Sequence, residues 1–235
     1  MDDIAAPPFR LLRRLGRFAI GQGAAMAALA VLAAGLLGFA AVLDLIEDGP
    51  HHFDEAVLRA LRNPDMPDQP IGPRWLTLGM REITALGSIP VLGLLTLVAL
   101  GYLVLDRRWR AVVLLVFSLP GGLLLNTLLK AGFGRPRPEL VARLMEVQTP
   151  SFPSGHAMLS AIGFLTLGAL LAAGSRRRRH RAYILTTAVL LTLLVGGSRV
   201  WLGVHWPTDV LAGWCLGAAW AMGCWLALRT WRGRS

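Results

Sequence analysis

The chain has 235 residues, 54% of them hydrophobic and 16% charged, with a mean hydropathy of +0.54 and a formal net charge of +10. That apolar share excludes an ordinary water-soluble domain and predicts a polytopic membrane protein, whose length is counted in bilayer crossings of roughly 20 apolar residues each. A basic excess points to nucleic acid in a soluble chain but to topology signals in a membrane chain, and the spread of the arginines decides between the two.

In chain order, the first apolar run covers 18–44 and follows Arg10, Arg13, Arg14 and Arg17. It has the basic flank of a signal peptide but about twice the apolar length, so it reads as an uncleaved first helix. Next comes an acidic, proline-rich segment at 45–85, with an amphipathic piece at 54–62 expected along the membrane interface. Its His51, His52, Asp54 and Glu55 match no strong zinc spacing, and no metal site is expected. Runs at 86–105 and 111–129 follow, separated by "DRRWR", then a polar segment at 130–155. Runs at 156–174, 182–197 and 208–228 complete the set, with "SRRRRHR" before the fifth, which is the shortest. Cys215 and Cys224 lie nine positions apart in the last run, on opposite sides of a helix, and read as buried thiols unable to pair with each other.

Six helices put the amino terminus, "DRRWR", "SRRRRHR" and the carboxy-terminal tail on one side. Those four short stretches hold 15 of the 24 basic residues, which makes that side cytoplasmic, both termini included. No single basic surface remains for nucleic acid. The expected architecture is therefore all-α, one six-helix membrane domain over 1–235.

The other side receives 45–85, 130–155 and 198–207, and chemistry-bearing residues gather in the last two. Lys130 is the one lysine among 24 basic residues, a compact ammonium where the chain otherwise uses arginine. Arg135 and Arg137 follow among prolines that keep the backbone extended. In "SFPSGH", Ser154 stands at the N-cap of the fourth helix, with Gly155 and His156 in its first turn, so free amides and a hydroxyl offer an anion site. In "SRVWLGVHWPTD", Pro207 suits the first helical position, His205 precedes it and Asp209 follows four residues after the histidine. Such a carboxylate can hold one imidazole nitrogen and leave the other as nucleophile or base. Arg199 can fork onto phosphate oxygens. Together these residues describe a phosphate site with a histidine nucleophile and a second histidine as acid.

The same residues resemble the type 2 phosphatidic acid phosphatase superfamily, which also includes vanadium haloperoxidases and bacterial acid phosphatases. Its signature is Lys, six residues, Arg-Pro; then Pro-Ser-Gly-His; then Ser-Arg, five residues, His, three residues, Asp. Here Lys130 to Arg137 and Pro138, then Pro153 to His156, then Ser198 to Asp209 fill every position in order. The resemblance implies that His205 attacks phosphorus and forms a phosphohistidine, with Asp209 orienting it. It implies that His156 protonates the leaving oxygen and then activates water, and that Lys130, Arg137, Arg199, Ser154 and the Gly155 amide hold the phosphoryl oxygens. No metal or cofactor is then required, and Arg135, outside the signature, is expected to be a rim charge. The implied substrate is a lipid phosphate in the bilayer: undecaprenyl pyrophosphate or a phospholipid phosphate such as phosphatidylglycerol phosphate or phosphatidate. A lipid A phosphatase or a phosphotransferase of the same fold is the alternative, and a non-enzymatic anion transporter or scaffold the remote one. The expected setting is a bacterial inner membrane with the site facing the periplasm or exterior, and the oligomeric state is left open.

Overall fold

The computed structural model describes residues 7–47 and 52–231. They form α1 (Pro7–Ile46), α2 (His52–Ala60), a hairpin of β1 (Arg62–Asn63) and β2 (Met66–Pro70), α3 (Arg74–Ala85), α4 (Ile89–Leu105), α5 (Trp109–Phe133), α6 (Gly155–Gly174), α7 (Arg178–Trp201) and α8 (Pro207–Trp231). Five helices are long and apolar enough to cross a membrane, and α3 with α4, bent by 48° at their junction, make up to six. Their outer faces carry exposed Leu97 and Val98 on α4, Phe117 and Leu128 on α5, and Leu190 on α7. Apolar surface on that scale is what a bilayer covers, so the chain is an integral membrane protein.

Between helices in a bilayer no hydrophobic force is gained, and close backbone approach replaces it. The sequence provides for this with small residues on α8. A Cβ at Gly213 would come within 2.8 Å of the Ser154 carbonyl, and one at Gly217 within 2.6 Å of the Met158 carbonyl. The other side of α8 meets α1 the same way: a Cβ at Gly35 would lie 2.5 Å from the Cys215 carbonyl. α6 is thereby the central helix, with Met158 and Ile162 fully buried.

Several boundaries differ from the sequence expectation. α7 starts at Arg178 and runs 24 residues, so part of the polybasic stretch forms its first turn instead of a loop. Arginine is a good helix former, and hydropathy alone truncates such a helix. The two cysteines are free and half-buried, not buried, with the Cys215 thiol turned toward Gly38 on α1. The 45–85 segment differs most. α2 does not lie free along the interface: Leu58 on its apolar face is fully buried with Val141, Ala157, Trp206 and Val210. Amphipathic periodicity reports that one face is covered, but not whether lipid or protein covers it. Arg62, in the hairpin behind it, donates to the carbonyls of Trp201 (3.1 Å) and Ala142 (3.4 Å). The segment is a cap over one end of the bundle.

Candidate active site

Three local features bring the polar residues to that capped end. α5 stops three residues after Lys130 because Gly134 takes a left-handed conformation (φ 57) and its N–H closes on the Lys130 carbonyl, a helix ending that favours glycine. Ser154 occupies the N-cap position of α6, and its N–H donates to the Asp209 carbonyl at 3.0 Å, which ties the start of α6 to the start of α8. Arg199 stands in the last turn of α7. Lys130, Arg137, Ser154, Gly155, His156, Arg199, His205 and Asp209 therefore meet at one end of the bundle, although they come from four helices and two loops.

His205 lies at the centre, 2% exposed. Its Nδ1 faces Asp209 Oδ2 at 3.4 Å and Ser151 Oγ at 3.4 Å. The Ser151 hydroxyl itself donates to Asp209 Oδ2, and the Trp206 N–H donates to the same oxygen at 2.9 Å. On the opposite edge of the ring, Nε2 stands 3.1 Å from Arg137 Nη1. A guanidinium has donors only, so Nε2 must present its lone pair and Nδ1 must carry the proton. That is the tautomer of a nucleophile. Burial, the largest cause, pushes the His205 imidazole down to about 3; the hydrogen bond and charge of Asp209 oppose this, and Arg137 and Arg199 add to it. The ring is neutral at physiological pH. Arg137 is also lowered by burial, to about 10, and remains a cation. It donates to the Val204 carbonyl, to the Thr149 carbonyl at 2.8 Å and to Thr149 Oγ1 at 3.2 Å.

The other side of the site is a set of donors with little to donate to. Ser154 Oγ and Arg199 Nε are buried with no hydrogen-bond partner among the described residues. Ser154 sits at a helix start, yet its side chain makes no capping bond. Arg199 is 1% exposed, holds Thr84 Oγ1 at 3.0 Å and forms no ion pair with a carboxylate among the described residues. Lys130 Nζ donates to the Pro150 carbonyl, and its stem passes 3.9 Å from where a Gly155 Cβ would stand. His156 is close enough for Arg199, His205, Arg137 and Lys130 to act on it electrostatically. Buried unpaired donors are costly. An oxyanion among Lys130, Ser154, Arg137 and Arg199 would satisfy them together.

One sequence expectation is overturned here. Arg135 is not a rim charge: its side chain is 9% exposed and pairs with Asp209 Oδ1 at 2.7 Å and Asp54 Oδ2 at 3.0 Å. The signal was in "RPR", since residues i and i+2 of an extended chain share a face. Arg135 should follow Arg137 inward. Ser151 and Asp54 were also missed. Asp54, considered above only as a metal ligand, accepts from the Thr208 N–H at 2.9 Å and from Thr208 Oγ1 at 2.6 Å; His51 lies outside the described residues.

A model of the PAP2 superfamily matches residues 111–232. The chain belongs to the PAP2 superfamily. Within it, the chain is similar to phosphatidylglycerophosphatase B of Bacillus subtilis, 36% identical over 146 residues that cover 61% of this chain and 70% of the relative. An undecaprenyl-diphosphatase of Sulfolobus acidocaldarius is 41% identical over 68 residues, 29% of either chain. Among solved structures, a transmembrane PAP2-type phosphatidylglycerolphosphate phosphatase from Bacillus subtilis superposes with a TM-score of 0.70 at 28% identity, covering 88% of this chain and 96% of that one. Aquifex aeolicus LpxE shares the fold alone, with a TM-score of 0.53 at 24% identity over 75% of this chain and 92% of its own.

Proposed function

We propose that this PAP2 protein is a lipid phosphatase that hydrolyses a phosphate monoester or pyrophosphate of a membrane lipid through a phosphohistidine on His205. The observation that carries the reading is the His205 ring, with Nδ1 turned to Asp209 and Nε2 aimed at cations. An incoming phosphoryl group exchanges contacts with Arg137, whose guanidinium moves from Nε2 to an oxygen and frees the lone pair. Nε2 then bonds to phosphorus as the bond to the lipid or pyrophosphate oxygen breaks, and His156 gives that oxygen a proton. Water next attacks phosphorus while His156 takes its proton, and the P–N bond breaks, which returns His205 and releases phosphate. Lys130, Arg137, Arg199, Ser154 and the Gly155 amide hold the oxygens, so the transferring group meets fixed charge in a dry site. These side chains supply the positive charge that a metal would otherwise bring, and turnover is expected to survive EDTA.

The lipid class is supported by the names of the relatives and by the place of the site at one end of an apolar bundle. A cleft of about 750 Å³ between the end of α1 and the loop after α5 is lined by Leu43, Phe133 and Trp206, side chains suited to an amphiphile. Undecaprenyl pyrophosphate and phosphatidylglycerol phosphate are the first substrates to assay, lipid A the next. We further propose six spans, α3 and α4 counting as one, in a single domain over 1–235 of a bacterial inner membrane. Both termini are cytoplasmic and the site faces the exterior. Release of inorganic phosphate from a panel of lipid phosphates, without any acceptor, tests the function; turnover only with an added hydroxyl acceptor would mark a phosphotransferase instead. Impermeant thiol labelling of single cysteines at 140–150 but not at 175–181 tests the topology.

A further inference from the structure

Beyond the signature residues, a line of buried charges runs away from His205 to the outermost part of the chain. Asp209 Oδ2 serves His205, Ser151 and the Trp206 N–H, while Oδ1 turns to Arg135 at 2.7 Å. The second Nη of Arg135 reaches Asp54 Oδ2 at 3.0 Å, and its guanidinium lies over the Trp206 ring, 5.6 Å from the centroid. Trp206 is itself fixed by its indole N–H on the Pro136 carbonyl at 3.1 Å. Asp54 is fully buried and caps the first turn of α8 by accepting from both the Thr208 N–H and the Thr208 hydroxyl. A carboxylate borrowed from α2 thus does for α8 what an N-cap residue does locally. It also faces the guanidinium that holds the carboxylate of the same helix turn.

We propose that Arg135 and Asp54 are positioning residues for the nucleophile, a charged chain through which α2 keeps Asp209 aimed at His205 and sets its pull on the ring. The inference rests on the reading of His205 as nucleophile. Neither residue makes a hydrogen bond to His205; Asp54 is fully buried, and Arg135 edges the cleft beside α1 with its side chain turned to the two carboxylates. Each acts through the residue before it. Asp209 draws on the Nδ1 proton and raises the basicity of Nε2; Arg135 damps that pull, and Asp54 damps Arg135. The charged and titratable groups around His205 are Lys130 from α5, Arg137 from the following loop, His156 from α6, Arg199 from α7 and Asp209 from α8. All but Asp209 belong to the cradle or catalysis, which leaves Arg135 and Asp54 as the control on the Asp209 side.

The sign of each change follows. Arg135→Gln leaves Asp209 undamped, His205 becomes harder to deprotonate, and the acidic limb of kcat/KM moves to higher pH. Asp54→Asn leaves Arg135 undamped, and the limb moves to lower pH. Purified full-length variants in detergent are assayed with the best lipid phosphate across pH. For Arg135→Gln the expected loss in kcat is on the order of ten- to hundredfold, as for partners one step behind a working histidine, with KM within about threefold. The double variant is expected to be no worse than Arg135→Gln alone, since the two act in series. If Arg135→Gln does not fold, Arg135→Met, which keeps the apolar stem over Trp206 but removes the charge, carries the same expectation. The proposal is overturned by wild-type kcat with an unmoved limb in the Arg135 variant, by a loss that resides in KM, or by limbs that move the same way in both single variants. His205→Ala, run in parallel, separates the two layers: residual turnover there removes the nucleophile reading whatever the Arg135 variants do.

Discussion

The two edges of the His205 ring lie in opposite kinds of surroundings. On the Nδ1 side, the Asp209 carboxylate receives the Ser151 hydroxyl, the Trp206 N–H and the Arg135 guanidinium, and the network closes on Asp54 and Thr208. Away from that network, Ser154 Oγ and Arg199 Nε are buried without partners among the described residues, and Arg137 faces Nε2 itself. The protein completes the hydrogen bonding of one half and leaves buried donors over in the other. The difference assigns different penalties to mutation: the Asp209 network should lose stability and activity together, and the unpartnered Ser154 hydroxyl activity alone.

The largest effect belongs to the atom between the halves. His205→Ala should reduce phosphate release to background, while vanadate, a mimic of five-coordinate phosphorus, should inhibit the wild type. On the Nδ1 side, Asp54→Ala leaves Arg135 with one carboxylate fewer and Thr208 uncapped. Breaking a buried pair typically costs about 3–5 kcal/mol, so its melting temperature should fall clearly. Ser154→Ala sharpens the contrast. Removing a transition-state donor costs roughly a hundredfold in kcat, yet this hydroxyl has no partner to lose and the melting temperature should hold or rise. A matched fall in stability for Ser154→Ala would erase the distinction between the two sides.

Lys130→Arg is a milder test of the same side. Arginine keeps the charge but not the compact position of the ammonium against the Pro150 carbonyl, so turnover should drop by about tenfold; wild-type turnover would return Lys130 to a helix-end anchor. A further effect is on stability against pH. His205 is held neutral when folded, near 3 against an ordinary 6.5. The unfolded chain takes up that proton first, so the contribution is complete above about pH 6.5 and is lost as pH falls toward 3. His205→Gln should flatten that part of the stability profile.

The ligand-facing half was far more legible in the sequence than the protein-facing half. Lys130, Arg137, Ser154, His156, Arg199 and His205 stand in short motifs whose spacing is set by local geometry, a helix end, a helix start, a four-residue turn, and on the other half only Asp209 shares such a motif. Arg135 and Asp54 are 81 positions apart, and nothing local binds them. Their pairing exists because α2 folds back over the start of α8, and the apolar stripe that drives this, Leu58 above all, reads the same against lipid as against protein. The bend between α3 and α4 was hidden for a related reason. Leu86 and Gly87 continue an apolar pattern, and it is the Ser88 hydroxyl accepting from the Val91 N–H that begins the new helix. The six apolar runs were visible because hydropathy is summed over a whole crossing, whereas ends such as the arginine-rich start of α7 depend on a few residues.

The account turns on one covalent bond, and trapping it is the most direct test. His156→Ala enzyme, which should load a substrate with a good leaving group but release phosphate slowly, is mixed with a lipid pyrophosphate labelled at its terminal phosphorus and quenched in base. The account predicts a base-stable, acid-labile phosphoenzyme that maps to His205 and is absent from the His156→Ala/His205→Ala double variant. Label on any other residue, or phosphate release by His156→Ala with no phosphoenzyme formed, would contradict it.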